Sequence, residues 1–144
     1  MKKIVFLQRP VGLGAIGLDS VVLFPRNIAG RKQIRIGNRS ALLPHSRIQA
    51  ICSYGGRKYN PIIEVADDVY IGRHLYLTAA YGVRIGNGCV LSDHVYITDL
   101  NHGYDPLGGP IMSQPLKGKG PVVIGNNCFL GFRVAIMPGR QILQ

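Results

Sequence analysis

Branched aliphatic residues recur in this chain at intervals of six, and no other property constrains the fold as much. Ile16, Val22 and Ile28 form one set, Ile36, Leu42 and Ile48 a second, and Val65, Ile71 and Leu77 a third; Ile85, Leu91 and Ile97 make the fourth, and Ile124, Leu130 and Ile136 the fifth. An α-helix repeats every ~3.6 residues and an amphipathic strand every second residue, so neither asks for a step of six. A solenoid with three flat sides per turn does. One side of such a coil cannot bury its own aliphatic row, whereas parallel coils stacked about 4.8 Å apart turn the rows into continuous columns. Ser20, Ser40, Val69, Cys89 and Cys128, each two residues before the middle aliphatic of a set, are small enough for the narrow interior. Gly17, Gly37, Gly72, Gly86, Gly125 and Gly131 follow an aliphatic directly and are expected to give the corners backbone freedom.

The steps from set to set are 8, 17, 8 and 27 residues. The short ones are ordinary corners, and the long ones must carry excursions out of the coil, at residues 52–61 and 98–120. The expectation is an all-β chain: a parallel β-helix of about five coils over residues 16–144 with two extruded loops, preceded by a capping segment at residues 1–15. A loop as long as 98–120 inside a compact repeat calls for a function. It holds Asp99, Asn101, His102, Tyr104, Lys117 and Lys119.

Composition narrows the partners. A net charge of +10 over 144 residues favours anionic ligands, among them a nucleotide cofactor or a nucleotide-sugar. The basic residues are scattered among corners and loops without an RNA-binding aromatic motif, which speaks against nucleic acid. No run of about twenty apolar residues exists, so no membrane-spanning helix is expected. Of three cysteines, Cys89 and Cys128 occupy inward positions of the repeat, which predicts buried thiols and a reducing, cytoplasmic setting.

The repeated Ile-Gly-x-x-Ser/Ala/Cys/Val-x pattern, clearest over Val65 to Gly139, resembles the hexapeptide-repeat acyltransferases. Within that family, Ile97-Thr98-Asp99-Leu100-Asn101-His102-Gly103-Tyr104 and the later Pro121-Val122-Val123-Ile124-Gly125-Asn126-Asn127-Cys128 look like the branch that O-acetylates sugars of bacterial surface polysaccharides. The resemblance implies a left-handed β-helix, a homotrimer, acetyl-CoA as acyl donor, and a sugar or nucleotide-sugar acceptor. It implies that His102 is the catalytic base, with Asn101 and Asp99 candidates to orient the imidazole or bind the acceptor. As turn-formers those two could equally shape the corner. Gly131 and Phe132 would meet the pantetheine arm, and Lys117, Lys119, Arg133 or Arg140 the phosphates. Acetyl transfer needs a base for the attacking hydroxyl, and an imidazole suits that task.

Two other readings stay open. Family members continue past Pro138-Gly139 with a further coil and a basic tail, whereas here Arg140-Gln141-Ile142-Leu143-Gln144 follows, which fits a truncated, catalytically impaired β-helix with a structural role. His45, His74 and His94 each stand three residues after a middle aliphatic and should form an outward column. Stacked imidazoles of that kind raise the third reading, a metal-dependent β-helix like certain carbonic anhydrases. No metal is expected, because the acidic and glutamine partners of that family are missing.

Overall fold

The computed structural model describes residues 12–143. Short strands wind through three parallel sheets. The first side of the coil takes Ala15–Ile16, Ile34–Ile36, Ile63–Val65, Val83–Ile85, Val122–Ile124 and Gln141–Ile142; the second takes Val21–Val22, Ala41–Leu42, Tyr70–Ile71, Val90–Leu91 and Phe129–Leu130. The third takes Asn27–Ala29, Arg47–Ala50, Tyr76–Ala79, Tyr96–Thr98 and Ala135–Ile136. This is a left-handed parallel β-helix with two extruded loops. Its core is the set of columns expected from the six-residue step: Ile36, Val65 and Ile85 in register on the first side, Leu42, Ile71 and Leu91 on the second, Ile48, Leu77 and Ile97 on the third. All nine are buried. Ile142 stacks on Ile124, so a sixth coil begins where five were expected. Residues 1–11 of the expected capping segment lie outside the described residues, and Ala15–Ile16 is already a strand of the first coil.

The corner glycines serve a different purpose from the one expected. None of Gly17, Gly37, Gly72, Gly86, Gly125 and Gly131 has a left-handed φ. That conformation falls two residues further on, at Asp19, Arg39, Asp68, Gly88 and Asn127 at one corner, with His45, His74, His94 and Arg133 at the next. What Gly37 supplies is room: a Cβ there would stand 2.7 Å from the backbone carbon of Ala66 in the following coil, and at Gly72 one would stand 2.8 Å from that of Ser92. Close stacking, and not freedom of φ, demands glycine there.

Side chains close the corners between coils. Asn38 Oδ1 accepts from Leu18 N at 2.9 Å, Asp67 Oδ1 from Asn38 N at 2.7 Å, Asn87 Oδ1 from Asp67 N at 3.0 Å, and Asn126 Oδ1 from Asn87 N at 2.9 Å. Inside, the small residues bridge the same gaps: Ser40 Oγ donates to Ala66 O at 2.7 Å and accepts from Val69 N at 3.0 Å. Cys89 and Cys128 are buried thiols, Cys52 is exposed, and all three are free. No helix among the described residues is long and apolar enough to cross a membrane.

Candidate active site

Both excursions leave from the end of the third side, so the coil brings them together. The second folds back as an antiparallel pair, Leu100–His102 with Leu116–Gly118, in which His102 stands opposite Leu116 and Asn101 opposite Lys117. Asp99 pins its root. Its buried carboxylate accepts from the backbone N–H groups of Ala80 (2.9 Å), Tyr81 (2.8 Å) and Gly82 (2.5 Å) at the corner of the preceding coil. Burial pushes the Asp99 carboxyl up, against these three donors, which pull it down. Both oxygens are thus occupied by backbone, and Asp99 braces the strand that carries His102. Further out, buried Gln114 ties the loop to itself: its Oε1 accepts from Asp105 N, and its Nε2 donates to the carbonyls of Asp105 and Gly109.

The first excursion is a hairpin, Ser53–Tyr54 with Arg57–Lys58, turned by Gly55 and Gly56 at φ 57° and 74°. It docks on the second excursion. Tyr59 Oη accepts from Leu116 N at 2.8 Å and donates to Leu116 O at 3.2 Å, while Gly55 packs so near Gln114 that a Cβ would lie 2.7 Å from its carbonyl. The docked hairpin delivers Tyr54 to His102. The Tyr54 hydroxyl lies 3.4 Å from Nδ1, with the two rings edge to face at 5.5 Å. The six-residue pattern gives no sign of this neighbour, because residues 52–61 break it.

His102 opens onto a cavity of about 360 Å³ shared by the two excursions and the outward face of the third side, with Gln49, Tyr54, Thr78, Asn101 and Met112 on its walls. His102 and Asn101 are exposed. Thr78 is 93% buried, at 7% exposure, and its Oγ1 has no hydrogen-bond partner. Thr78 follows the inward Leu77 by one residue, so its outward position was readable from the repeat; that the excursions would bury it was not.

The residues expected to bind coenzyme A lie in separate places. Gly131, Phe132 and Arg133 turn the second corner of the fifth coil, where the Arg133 guanidinium sits 5.0 Å over the Phe132 ring. Lys117 reaches over Tyr104 at 5.0 Å, and Lys119 packs along Gly139, whose Cβ would meet the lysine Cδ at 2.8 Å. The histidine column is present: His45 and His74 stack at 5.0 Å, His74 and His94 at 4.5 Å, and Phe132 meets His94 edge-on at 5.7 Å. Desolvation within the stack, then His94 and His45, holds His74 below the ordinary histidine range. Rings stacked face to face do not converge their nitrogens on one point, and among the described residues no three His, Cys, Asp or Glu side chains are grouped to hold a metal.

No family model matches the chain. Over 87 residues it is 30% identical to WbbJ of Escherichia coli, named as a lipopolysaccharide biosynthesis O-acetyl transferase; the match covers 56% of this chain and 44% of that one. Over 86 residues it is 29% identical to Rv3034c of Mycobacterium tuberculosis, named as an acetyltransferase, covering 60% of this chain and 28% of that one. The chain thus spans less than half the length of these curated relatives. Among solved structures it superposes on AntD, an N-acyltransferase from Bacillus cereus in complex with dTDP-4-amino-4,6-dideoxyglucose and coenzyme A, at TM-score 0.69, 11% identity, 91% of this chain and 67% of that one. A second AntD structure, with dTDP and coenzyme A, gives TM-score 0.67 at 12% identity, with the same shares covered. The likeness to the hexapeptide-repeat acyltransferases therefore holds in sequence and in fold.

Proposed function

We propose that this protein is an O-acetyltransferase that moves an acetyl group from acetyl-CoA to a hydroxyl of a sugar bound for a bacterial surface polysaccharide. The observation that carries the reading is the placement of His102: on a braced strand, at the mouth of a cavity, with Tyr54 at its Nδ1. With Nδ1–H donating to Tyr54 Oη, the lone pair of Nε2 is free to take a proton. His102 then removes the proton of the acceptor hydroxyl as its oxygen attacks the thioester carbonyl. On collapse the C–S bond breaks and the imidazolium returns the proton to the departing thiolate, leaving an acetate ester and a free thiol. Asn101 faces the cavity as an acceptor contact, and Asp99 positions the strand without touching substrate.

The same proposal places the donor toward the fifth coil, where Gly131 and Phe132 present backbone and an exposed ring, with Arg133, Lys117 and Lys119 available to phosphates. It includes a homotrimer in which that surface faces a neighbouring copy, and a cytoplasmic setting, in keeping with three unpaired thiols. The test is thiol release from acetyl-CoA in the presence of a panel of nucleotide-sugars and oligosaccharides, alongside calorimetry with coenzyme A. Acceptor-dependent release is expected. Absence of both coenzyme A binding and release with every acceptor would end this reading.

A further inference from the structure

The cavity at His102 does not stand alone. A second and larger one, about 530 Å³, lies beside it on the same outward face and shares Arg47, Tyr76 and Tyr96 with it. The two make one groove. It runs from the fourth coil, where His102 leaves, back to Arg26 at the start of the first coil's third side. At about 4.8 Å per coil, three steps make roughly 14 Å. The far end is basic, with Arg26, Arg47, His45, His74 and His94 on its walls and no carboxylate on the lining of either cavity. The ion pairs among the described residues, Arg39 with Asp68 and Arg84 with Glu64, involve neither arginine of the groove. Asp93, close enough to affect His74, has Oδ1 committed to the backbone N–H of Arg73 at 2.7 Å.

Arg47 is held ready. Its guanidinium lies 4.8 Å over the Tyr76 ring and donates to Gln49 Oε1 at 3.1 Å, while Tyr76 itself stacks on Tyr96 at 5.2 Å. A left-handed corner explains a histidine at positions 45, 74 and 94. It does not explain the arginines beside them. At the chemical end, Thr78 lines the cavity and its Oγ1 is buried and unpartnered, a cost the fold bears unless a ligand completes it.

We propose that this groove binds a phosphate-linked sugar: Arg26 and Arg47, flanked by His45 and His74, hold a diphosphate, and Thr78, by turning its Oγ1 into the cavity, hydrogen-bonds the sugar whose reacting hydroxyl faces His102. The inference rests on the acetyl-transfer reading and specifies its acceptor as the diphosphate-activated sugar, not the finished neutral polymer. A guanidinium presents paired N–H donors that match phosphate oxygens, which a scattered surface charge does not. The groove touches the Gly131–Arg133 corner where His94 meets Phe132 at 5.7 Å and runs from there toward the first coil, so acceptor and donor surfaces adjoin.

The same chemistry could come from the diphosphate of coenzyme A, and the experiment separates the two. The full chain is titrated calorimetrically with uridine diphosphate, coenzyme A and methyl glucoside, as the parent and as the double variant Arg26→Ala, Arg47→Ala, with circular dichroism confirming the fold. Uridine diphosphate is expected to bind the parent more tightly than methyl glucoside and to lose at least about tenfold in the double variant, with coenzyme A affinity changed less than about twofold. The converse pattern, or no uridine diphosphate binding by the parent, overturns the proposal. If uridine diphosphate binds as expected but acetyl-CoA is never turned over, the groove stands and the acetyl-transfer reading falls. Should acetyl transfer proceed while uridine diphosphate binding fails, the reverse holds.

Discussion

Tyr54 Oη and His102 Nδ1 lie 3.4 Å apart although 48 residues separate them in the chain. The contact exists because both excursions depart from the same edge of the coil and Tyr59 fastens one to the other. Tyr54→Phe keeps the ring against the imidazole and removes only the hydroxyl. Loss of one hydrogen bond of about 1 kcal/mol should lower kcat about fivefold, with KM for acetyl-CoA unchanged. The pH profile of kcat/KM should shift as well, a readout that a merely structural tyrosine would leave alone.

His102→Ala should leave the thermal midpoint and coenzyme A affinity near those of the parent and lower turnover by about 10² to 10⁴. Single-turnover acetylation followed by mass spectrometry checks this. Parent-like rates in a folded variant would remove His102 from the mechanism.

Asp99 offers a contrast, because its work is done inside the protein. Asp99→Asn replaces one acceptor oxygen with an N–H₂ donor that must face at least the N–H of Ala80, if the remaining oxygen keeps Tyr81 and Gly82. The expected cost is about 1 to 3 kcal/mol of stability, read by chemical denaturation. Hydrogen exchange should report the loss first at Ala80–Gly82 and at the root of the second excursion, and a fall in turnover should follow the misplaced His102.

Thr78→Val should move stability and binding in opposite directions. Removing a buried hydroxyl that has no partner should stabilise the fold by about 1 kcal/mol. It should raise KM for the sugar acceptor several-fold without changing KM for acetyl-CoA. A valine variant that is less stable, with acceptor KM unchanged, would show that the hydroxyl serves the fold alone.

The histidine column predicts an acid limb to stability. The folded pKa of His74 is depressed below its ordinary value of 6.5, by desolvation and then by His94 and His45, with Arg26 adding to the fall and Asp93 opposing it. A depressed group contributes stability that is complete above the ordinary value and is lost as pH falls through the folded one. Thermal midpoints measured from about pH 8 down to about pH 5 should therefore fall on acidification. They should fall less steeply in His74→Asn, whose side chain tolerates the left-handed corner.

The coil was legible in the sequence because its cause is periodic: stacking forces Leu42, Ile71 and Leu91 into one column and spaces each from its neighbours on the other sides by six residues. His102 could be singled out as a candidate through its motif and through the length of the loop that carries it. Tyr54 was not, since the docking of one excursion on another follows no period and depends on Tyr59 reaching Leu116 and on Gly55 packing against Gln114. The corner glycines were read as flexible because glycine in isolation suggests freedom. Only the nearness of the next coil, at Gly37 and Gly72, shows that the missing atom is what matters.

The run of corner bonds from Leu18 through Asn38, Asp67 and Asn87 to Asn126 gives the solenoid a direction as well as a shape. In every pair the backbone of one coil is the donor and the side chain of the coil after it is the acceptor. As the chain leaves the ribosome, a newly formed corner therefore keeps an unanswered N–H until its successor arrives. Order is handed backward from each coil to the one made before it. A lesion at Asn87 should accordingly loosen the corner at Asp67 before any later one, and swapping one complete coil for another should be gentler than slipping a single residue.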